Sequence, residues 1–234
     1  IEGNWIGAQY KSNADIIAHN RIISLLNKSF PEINIVSEED FKKNLTKNYN
    51  YFLVDPIDGT ASYANGYSGY VVQICFMKNN KPCLCAIYAP YFERLYWAEK
   101  SKGSYVNNKR LKIQNNIMNE FNTIIDNYPT PKGISKTLIN NLDIPNYYEC
   151  GSISLKICKI AENEADLFVK DMNPRDWDMA APDLVLSEAG GFISNINGKS
   201  ITYGKSDRKH NGLIATTSEE KLKIISKLIR KLSQ

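Results

Sequence analysis

Five short runs rich in β-branched and aromatic residues, Ile33 to Val36, Tyr51 to Val54, Tyr70 to Met77, Leu84 to Ala89 and Arg94 to Trp97, succeed one another with turn formers between them. Strands joined by turns pair antiparallel, so this half predicts an antiparallel sheet. A helix opening at Ser12-Asn13-Ala14-Asp15 packs on it: Ala18, Ile22, Leu25 and Leu26 recur at helical spacing, and Asn27 with Pro31 closes it. From about Phe121 the pattern alternates, with a strand at Thr123 to Ile125, a helix at Ser154 to Ala161, a strand at Leu167 to Val169 and a helix at Met179 to Ser187. Strands are also expected at Gly191 to Ser194 and Leu213 to Ala215, before a last helix striped by Leu222, Ile225, Leu228, Ile229 and Leu232. The second half therefore reads as α/β. No linker or low-complexity tract parts the halves, so residues 1–120 and 121–234 are expected as an α+β lobe and an α/β lobe of one compact unit.

Composition bounds the function. The formal charge of +4 over 234 residues comes from dispersed lysines, without the stripe of cations and aromatics that grips a polymer, so no polymeric nucleic acid is expected as partner. No run is long enough to span a bilayer, which predicts a soluble protein with no membrane partner. The five cysteines lie mostly inside apolar runs and Cys83 and Cys85 lack zinc or redox spacing, so all five read as reduced core residues. With no signal peptide seen ahead of them, a cytoplasmic protein is expected.

The stretch Leu53-Val54-Asp55-Pro56-Ile57-Asp58-Gly59-Thr60 runs a hydrophobic strand into two acids, a glycine and a hydroxyl. A strand end mounts ligands rigidly. Pro56 fixes φ and gives no donor, so the chain is expected to leave the strand there and turn Asp55 and Asp58 toward one point. Gly59 lets the backbone approach a ligand. Oxygen ligands in a chain with only two histidines, His19 and His210, suit Mg²⁺ better than zinc or iron. Alone, the stretch fits an Asx turn nearly as well. Other acids break the tie: Ser37-Glu38-Glu39-Asp40 follows a strand-like run, and Asp176-Trp177-Asp178 opens a later helix. Asp15 also fits a Ser-x-x-Asp capping box with Ser12.

Together, Ser-Glu-Glu-Asp, Asp-Pro-Ile-Asp-Gly-Thr and Trp-Asp-x-Ala-Ala-Pro-Asp-Leu-Val-Leu-Ser-Glu-Ala-Gly-Gly resemble the inositol monophosphatase superfamily of lithium-sensitive phosphatases, from about Asp15 to about Thr216. The resemblance implies a layered α-β-α-β-α sandwich and two or three Mg²⁺ ions. It implies metal ligation by Glu38, Asp55, the Ile57 carbonyl, Asp58 and Asp178, with Glu39 as support. Backbone amides at Gly59, Thr60 and Ala61 would hold the phosphate. Asp15, with the Thr60 hydroxyl, would orient and deprotonate the attacking water, with Glu38 also counted in the catalytic set. Ser12 stands where the family has a threonine, and the stretch before Asp15 is shorter than in relatives, which bears on the third ion. Relatives are often homodimers or monomers, so a homodimer is one of the assemblies the resemblance implies.

Within the superfamily, Ser37-Glu38-Glu39 and Gly151-Ser152-Ile153-Ser154-Leu155-Lys156 look most like the bacterial 3′(2′),5′-bisphosphate nucleotidases. In that reading Gly151, Ser152 and Lys156 line the substrate site, and Lys156, with Lys170, answers the 5′-phosphate of 3′-phosphoadenosine 5′-phosphate. A solvated lysine fits each position equally well. Asp171, seven residues before Asp178, matches the acid that inositol phosphatases turn to sugar hydroxyls, which keeps an inositol or sugar phosphate as the alternative substrate. Two other classes compete. A haloacid-dehalogenase-type phosphatase would space its aspartates at i and i+2, whereas here they stand at i and i+3. A non-catalytic phosphate-binding protein would keep the fold without turnover.

Overall fold

The computed structural model describes residues 3–6, 9–40, 49–114 and 120–232. In chain order these form β1 (Gly3–Ile6), β2 (Gln9–Ser12), α1 (Asn13–Ser29), β3 (Asn34–Ser37), β4 (Tyr51–Asp58), α2 (Thr60–Ala64), β5 (Val71–Lys78), β6 (Lys81–Ala89), β7 (Arg94–Glu99), β8 (Gly103–Val106) and β9 (Lys109–Arg110). Then come β10 (Thr123–Asp126), α3 (Gly133–Leu142), β11 (Asn146–Glu149), α4 (Ile153–Ala161), β12 (Leu167–Lys170), α5 (Asp176–Ala189), β13 (Phe192–Ser194), β14 (Leu213–Thr216) and α6 (Glu219–Leu232).

Two sheets organise the molecule. One has seven strands in the order β3-β4-β5-β6-β7-β8-β9, the other five in the order β11-β10-β12-β14-β13, and β1 with β2 makes a separate hairpin. The first sheet is not wholly antiparallel as expected, because β3 joins β4 in parallel. In the second, β10 pairs parallel with β11 and β12, and β14 runs antiparallel to β12 and β13.

Three apolar clusters hold five structural layers together, the middle one covering both faces of the central helices, following the two-residue side-chain alternation of strands. Ile22, Ile23 and Leu26 of α1 meet Phe52, Val54, Ile74 and Phe76 on the outer face of the seven-stranded sheet. Its inner face, with Tyr51, Leu53, Val71, Cys75 and Ile87, shares one core with α4, α5 and the Ile125, Phe168 and Leu213 side of the second sheet. The opposite face of that sheet, with Ile124, Leu167, Val169 and Ile214, packs on Leu138 of α3 and on Leu222, Ile225 and Ile229 of α6. The result is the layered α-β-α-β-α sandwich. β4 is buried along its whole length because both its faces are covered. Among the described residues, no helix is long and apolar enough to cross a membrane. Cys75, Cys85, Cys150 and Cys158 are buried, and burial pushes the Cys85 thiol up to about 12.

Candidate active site

The central strand β4 carries the first two acids. In a regular strand, residues three apart point to opposite faces. Here Asp55 pairs with Gln73 and Asp58 with Val71, so three steps on β4 match two on β5. This is a bulge of one extra residue, and it returns Asp58 to the side of Asp55. Pro56, which has no N–H for the ladder, sits inside it. The chain therefore does not leave the strand at Pro56, as the sequence suggested, but continues through the irregularity to Asp58.

Asp55 accepts the Ile57 N–H at 3.1 Å, which fixes the bulge from within. Asp58 seats the start of α4: its Oδ2 accepts the Ser152 hydroxyl at 2.6 Å and the Ser154 N–H at 2.7 Å, and its Oδ1 accepts the Ile153 N–H at 3.3 Å. An anion is favoured at a helix N-terminus. Ser152 also caps the helix by accepting the Leu155 N–H at 2.9 Å. From the other side of the core, α5 brings Asp178, whose carboxylate accepts the Arg175 N–H at 2.7 Å.

One oxygen from each of Asp55, Asp58 and Asp178 lies within 4.8 Å of the others. Burial, together with the charges of Asp58 and Glu38, pushes the Asp178 carboxyl well above its ordinary range, while the Arg175 N–H and Lys170 pull it back. Like charges this close need a counter-charge. An all-oxygen set without imidazole or thiolate fits a hard divalent cation such as Mg²⁺. Glu38 follows β3, its N–H bonded to the Val54 carbonyl at 3.1 Å, near enough for its charge to act on Asp178. Glu39 lies half-buried in the same turn.

A second constellation adjoins the first. Asp15 is 2% exposed and accepts three hydrogen bonds: the Ser12 N–H at 2.8 Å, the Ser12 hydroxyl at 2.7 Å and the Thr60 hydroxyl at 2.9 Å. The capping contact and the contact to Thr60 are thus made by one carboxylate. Thr60 Oγ1 also lies 3.0 Å from the Ile57 carbonyl, so its single proton has two acceptors. Gly59, at φ +94°, opens α2, where the N–H groups of Thr60 and Ala61 have no acceptor within the helix. A Cβ on Gly59 would stand 2.5 Å from the Gly69 carbonyl oxygen. Gly151 is equally constrained, since a Cβ there would overlap Ser62 and the Gly69 carbonyl.

The residues expected to set specificity divide. Asp171 is exposed just past β12, and Lys170, half-buried at the strand's end, lies close enough to act on Asp178. Lys156 is not where the sequence placed it. It is fully buried, its ammonium donating to the Cys150 carbonyl at 2.9 Å, to the Gly151 carbonyl at 3.4 Å and to Asn127, with the Phe168 ring centroid 4.7 Å away. Burial lowers its pKa to about 8. In this position it braces the turn before α4 rather than facing a second phosphate.

The sequence did not single out Gln73 and Ser154 as individual residues, nor His19. Gln73 is buried, with Nε2 3.5 Å from Asp55 Oδ2, and its Oε1 accepts the Ser154 hydroxyl at 2.8 Å. His19 Nδ1 pairs with the Ser37 hydroxyl at 2.8 Å, joining α1 to the end of β3. Gln73 left a trace in the sequence as the polar residue in the buried phase of an otherwise apolar strand.

Residues 8–233 match the model of the inositol monophosphatase family. The fructose-1,6-bisphosphatase/inositol-1-monophosphatase of Aquifex aeolicus is 32% identical over 192 residues, which cover 79% of this chain and 72% of that one. The 3′(2′),5′-bisphosphate nucleotidase CysQ of Buchnera aphidicola is 30% identical over 219 residues, covering 87% of this chain and 80% of its own. Among solved structures, the extragenic suppressor protein suhB of Bartonella henselae superposes with a TM-score of 0.81 at 26% identity, over 99% of this chain and 90% of that chain. The chain belongs to the inositol monophosphatase family, whose members are metal-dependent phosphatases.

Proposed function

We propose that this chain is a Mg²⁺-dependent phosphomonoesterase acting by direct attack of water, with 3′(2′)-phosphoadenosine 5′-phosphate as its substrate and AMP and phosphate as products. The observation that carries the reading is the pairing of two groups of side chains in one place: the carboxylates of Asp55, Asp58 and Asp178, and the hydrogen-bonded Asp15 and Thr60.

In this reading Glu38, Asp55, the Ile57 carbonyl, Asp58 and Asp178 hold the ions. Mg²⁺, when bound, supplies the positive charge that acidifies water and offsets the charge of the phosphoryl oxygens. The N–H groups at Gly59, Thr60 and Ala61 orient the phosphate, as backbone donors at a helix start do. Thr60 donates to Asp15 and turns an oxygen lone pair to the attacking water, so the water's proton has a place to go. The water oxygen bonds to phosphorus as the ester P–O bond breaks; the water's proton passes by way of Thr60 to Asp15, and the departing alkoxide takes a proton from solvent. No side-chain nucleophile is used.

The nucleotide assignment draws on the Ser37-Glu38-Glu39 and Gly151-to-Lys156 resemblance, on the Buchnera relative and on Lys170 at the rim. With Lys156 enclosed, Lys170 is the lysine offered to a second phosphate. The exposed Asp171 and the Aquifex relative favour a second reading, an inositol or sugar phosphate. Phosphate release from 3′-phosphoadenosine 5′-phosphate and from inositol 1-phosphate, assayed side by side with Mg²⁺, decides between them. Turnover of the nucleotide at the higher kcat/KM supports the first reading, and turnover of inositol phosphate alone overturns it.

A further inference from the structure

Asp55, Asp58 and Asp178 reach the site from two elements, and hydrogen bonds to all three pass through Gln73 and Ser154. Gln73 stands directly opposite Asp55 in the β4–β5 ladder, 2% exposed, between Val71 and Cys75 on the inward face. Its amide approaches Asp55 at 3.5 Å on one end and meets the Ser154 hydroxyl at 2.8 Å on the other. Ser154 gives its backbone N–H to Asp58 at 2.7 Å, and its hydroxyl lies 3.0 Å from the backbone carbonyl of Asp178. That carbonyl needs an outside donor. In a regular helix it would accept from the residue four places on, which here is Pro182, and proline has no N–H. Ser154, fully buried, has one hydroxyl proton for two acceptors, this carbonyl and Gln73 Oε1.

We propose that Gln73 and Ser154 are positioning residues that hold Asp55, Asp58 and Asp178 at the spacing a divalent cation requires, and so set the chain's affinity for that cation. The inference rests on the reading of this site as a metal site. The three carboxylates repel one another, so without a fixed frame they spread apart when no cation holds them. Gln73 ties the frame to the seven-stranded sheet and Ser154 ties it to α4 and α5, so the pair joins the layers that meet at the site.

The test is Mn²⁺ binding to the full chain without substrate, followed by electron paramagnetic resonance, for the wild type, Gln73→Leu, Ser154→Ala and the double variant, with metal-free thermal unfolding in parallel. Each single variant is expected to weaken binding about tenfold or more, the range measured when groups supporting metal ligands are removed. The double variant should lose less than the product of the two, because both residues act in one chain of bonds. Adding Pro182→Ala to Ser154→Ala, which returns an N–H to the Asp178 carbonyl, should recover part of the loss. Ser154→Cys, close in size and a poor donor, gives the same reading if a larger change does not fold. Binding within twofold of wild type in Gln73→Leu and in Ser154→Ala or Ser154→Cys, even with lowered unfolding temperatures, overturns the inference. A wild type that binds no Mn²⁺ overturns the metal-site reading itself, whereas a wild type that binds while Asp55→Asn does not leaves that reading standing whatever Gln73 shows.

Discussion

At Thr60 one hydroxyl proton faces both Asp15 and the Ile57 carbonyl, and the proposed proton transfer depends on which acceptor it takes. Positioned acid–base groups contribute about 10²–10⁴ in rate. Thr60→Ala is therefore expected to lower kcat by about a hundredfold or more, with a much smaller change in KM, as steady-state kinetics will show. Asp183, in α5, is a costlier residue. Burial pushes its carboxyl up to about 6 although it accepts the Tyr203 hydroxyl at 2.7 Å. An acid with a raised folded pKa contributes stability that is complete below its unfolded pKa and is lost as pH rises through the folded one. Asp183→Asn is thus expected to raise the unfolding temperature at pH 8 by a few degrees and to give no gain near pH 4. The acids of the site were legible because few residue types ligate Mg²⁺ and their spacing was distinctive. Lys156 was misplaced because sequence gives a side chain's chemistry but not its exposure, and four methylenes can carry an ammonium inward to backbone carbonyls as readily as outward.

Among the elements, β4 shows what a pattern can and cannot convey. Its apolar run and its two acids are visible in sequence, but the bulge that turns both acids to one side depends on the ladder with β5. The loop that follows is fixed by contact. Gly59→Ala would place a side chain at φ +94°, a region that costs an L-residue about 1–2 kcal/mol, and would also press on the Gly69 carbonyl. A lowered unfolding temperature with loss of phosphatase activity is expected, and circular dichroism melts with activity assays check it. Helices α1, α4, α5 and α6 were legible from apolar residues recurring at helical spacing, although α4 is buried on every side and in α1 Ile22, Ile23 and Leu26 are only half-buried while Leu25 is exposed. α3 and β11 were not: α3 follows Pro131 and begins on Gly133, turn formers that read as loop, and β11 is a largely exposed edge strand with no alternation to read.

For the whole molecule, the sandwich brings a carboxylate pair from one sheet and a carboxylate from a helix of the middle layer to a shared point. Neither half holds the three acids alone. In the proposed reading the substrate's remainder extends toward the end of β12, where Lys170 and Asp171 lie. Lys170→Ala is expected to raise KM for 3′-phosphoadenosine 5′-phosphate severalfold and leave KM for inositol 1-phosphate unchanged, a difference that parallel kinetics will expose. The division into two lobes could be inferred from the switch between strand-rich and alternating halves, whereas the layering was implied by the family resemblance. The ties between layers, made by Gln73, Ser154 and the Asp58 contact to α4, could not, because they join residues far apart in sequence through single polar atoms. The most direct measurement is phosphate release by the wild type and Asp55→Asn with Mg²⁺, with chelator, and with Mg²⁺ restored, together with a search for a phosphorylated protein by mass spectrometry after quenching. Metal-dependent attack by water predicts turnover that chelation abolishes and Mg²⁺ restores, at least a hundredfold loss in Asp55→Asn and no phosphoprotein. Turnover that survives chelation, or a trapped aspartyl-phosphate, would contradict it.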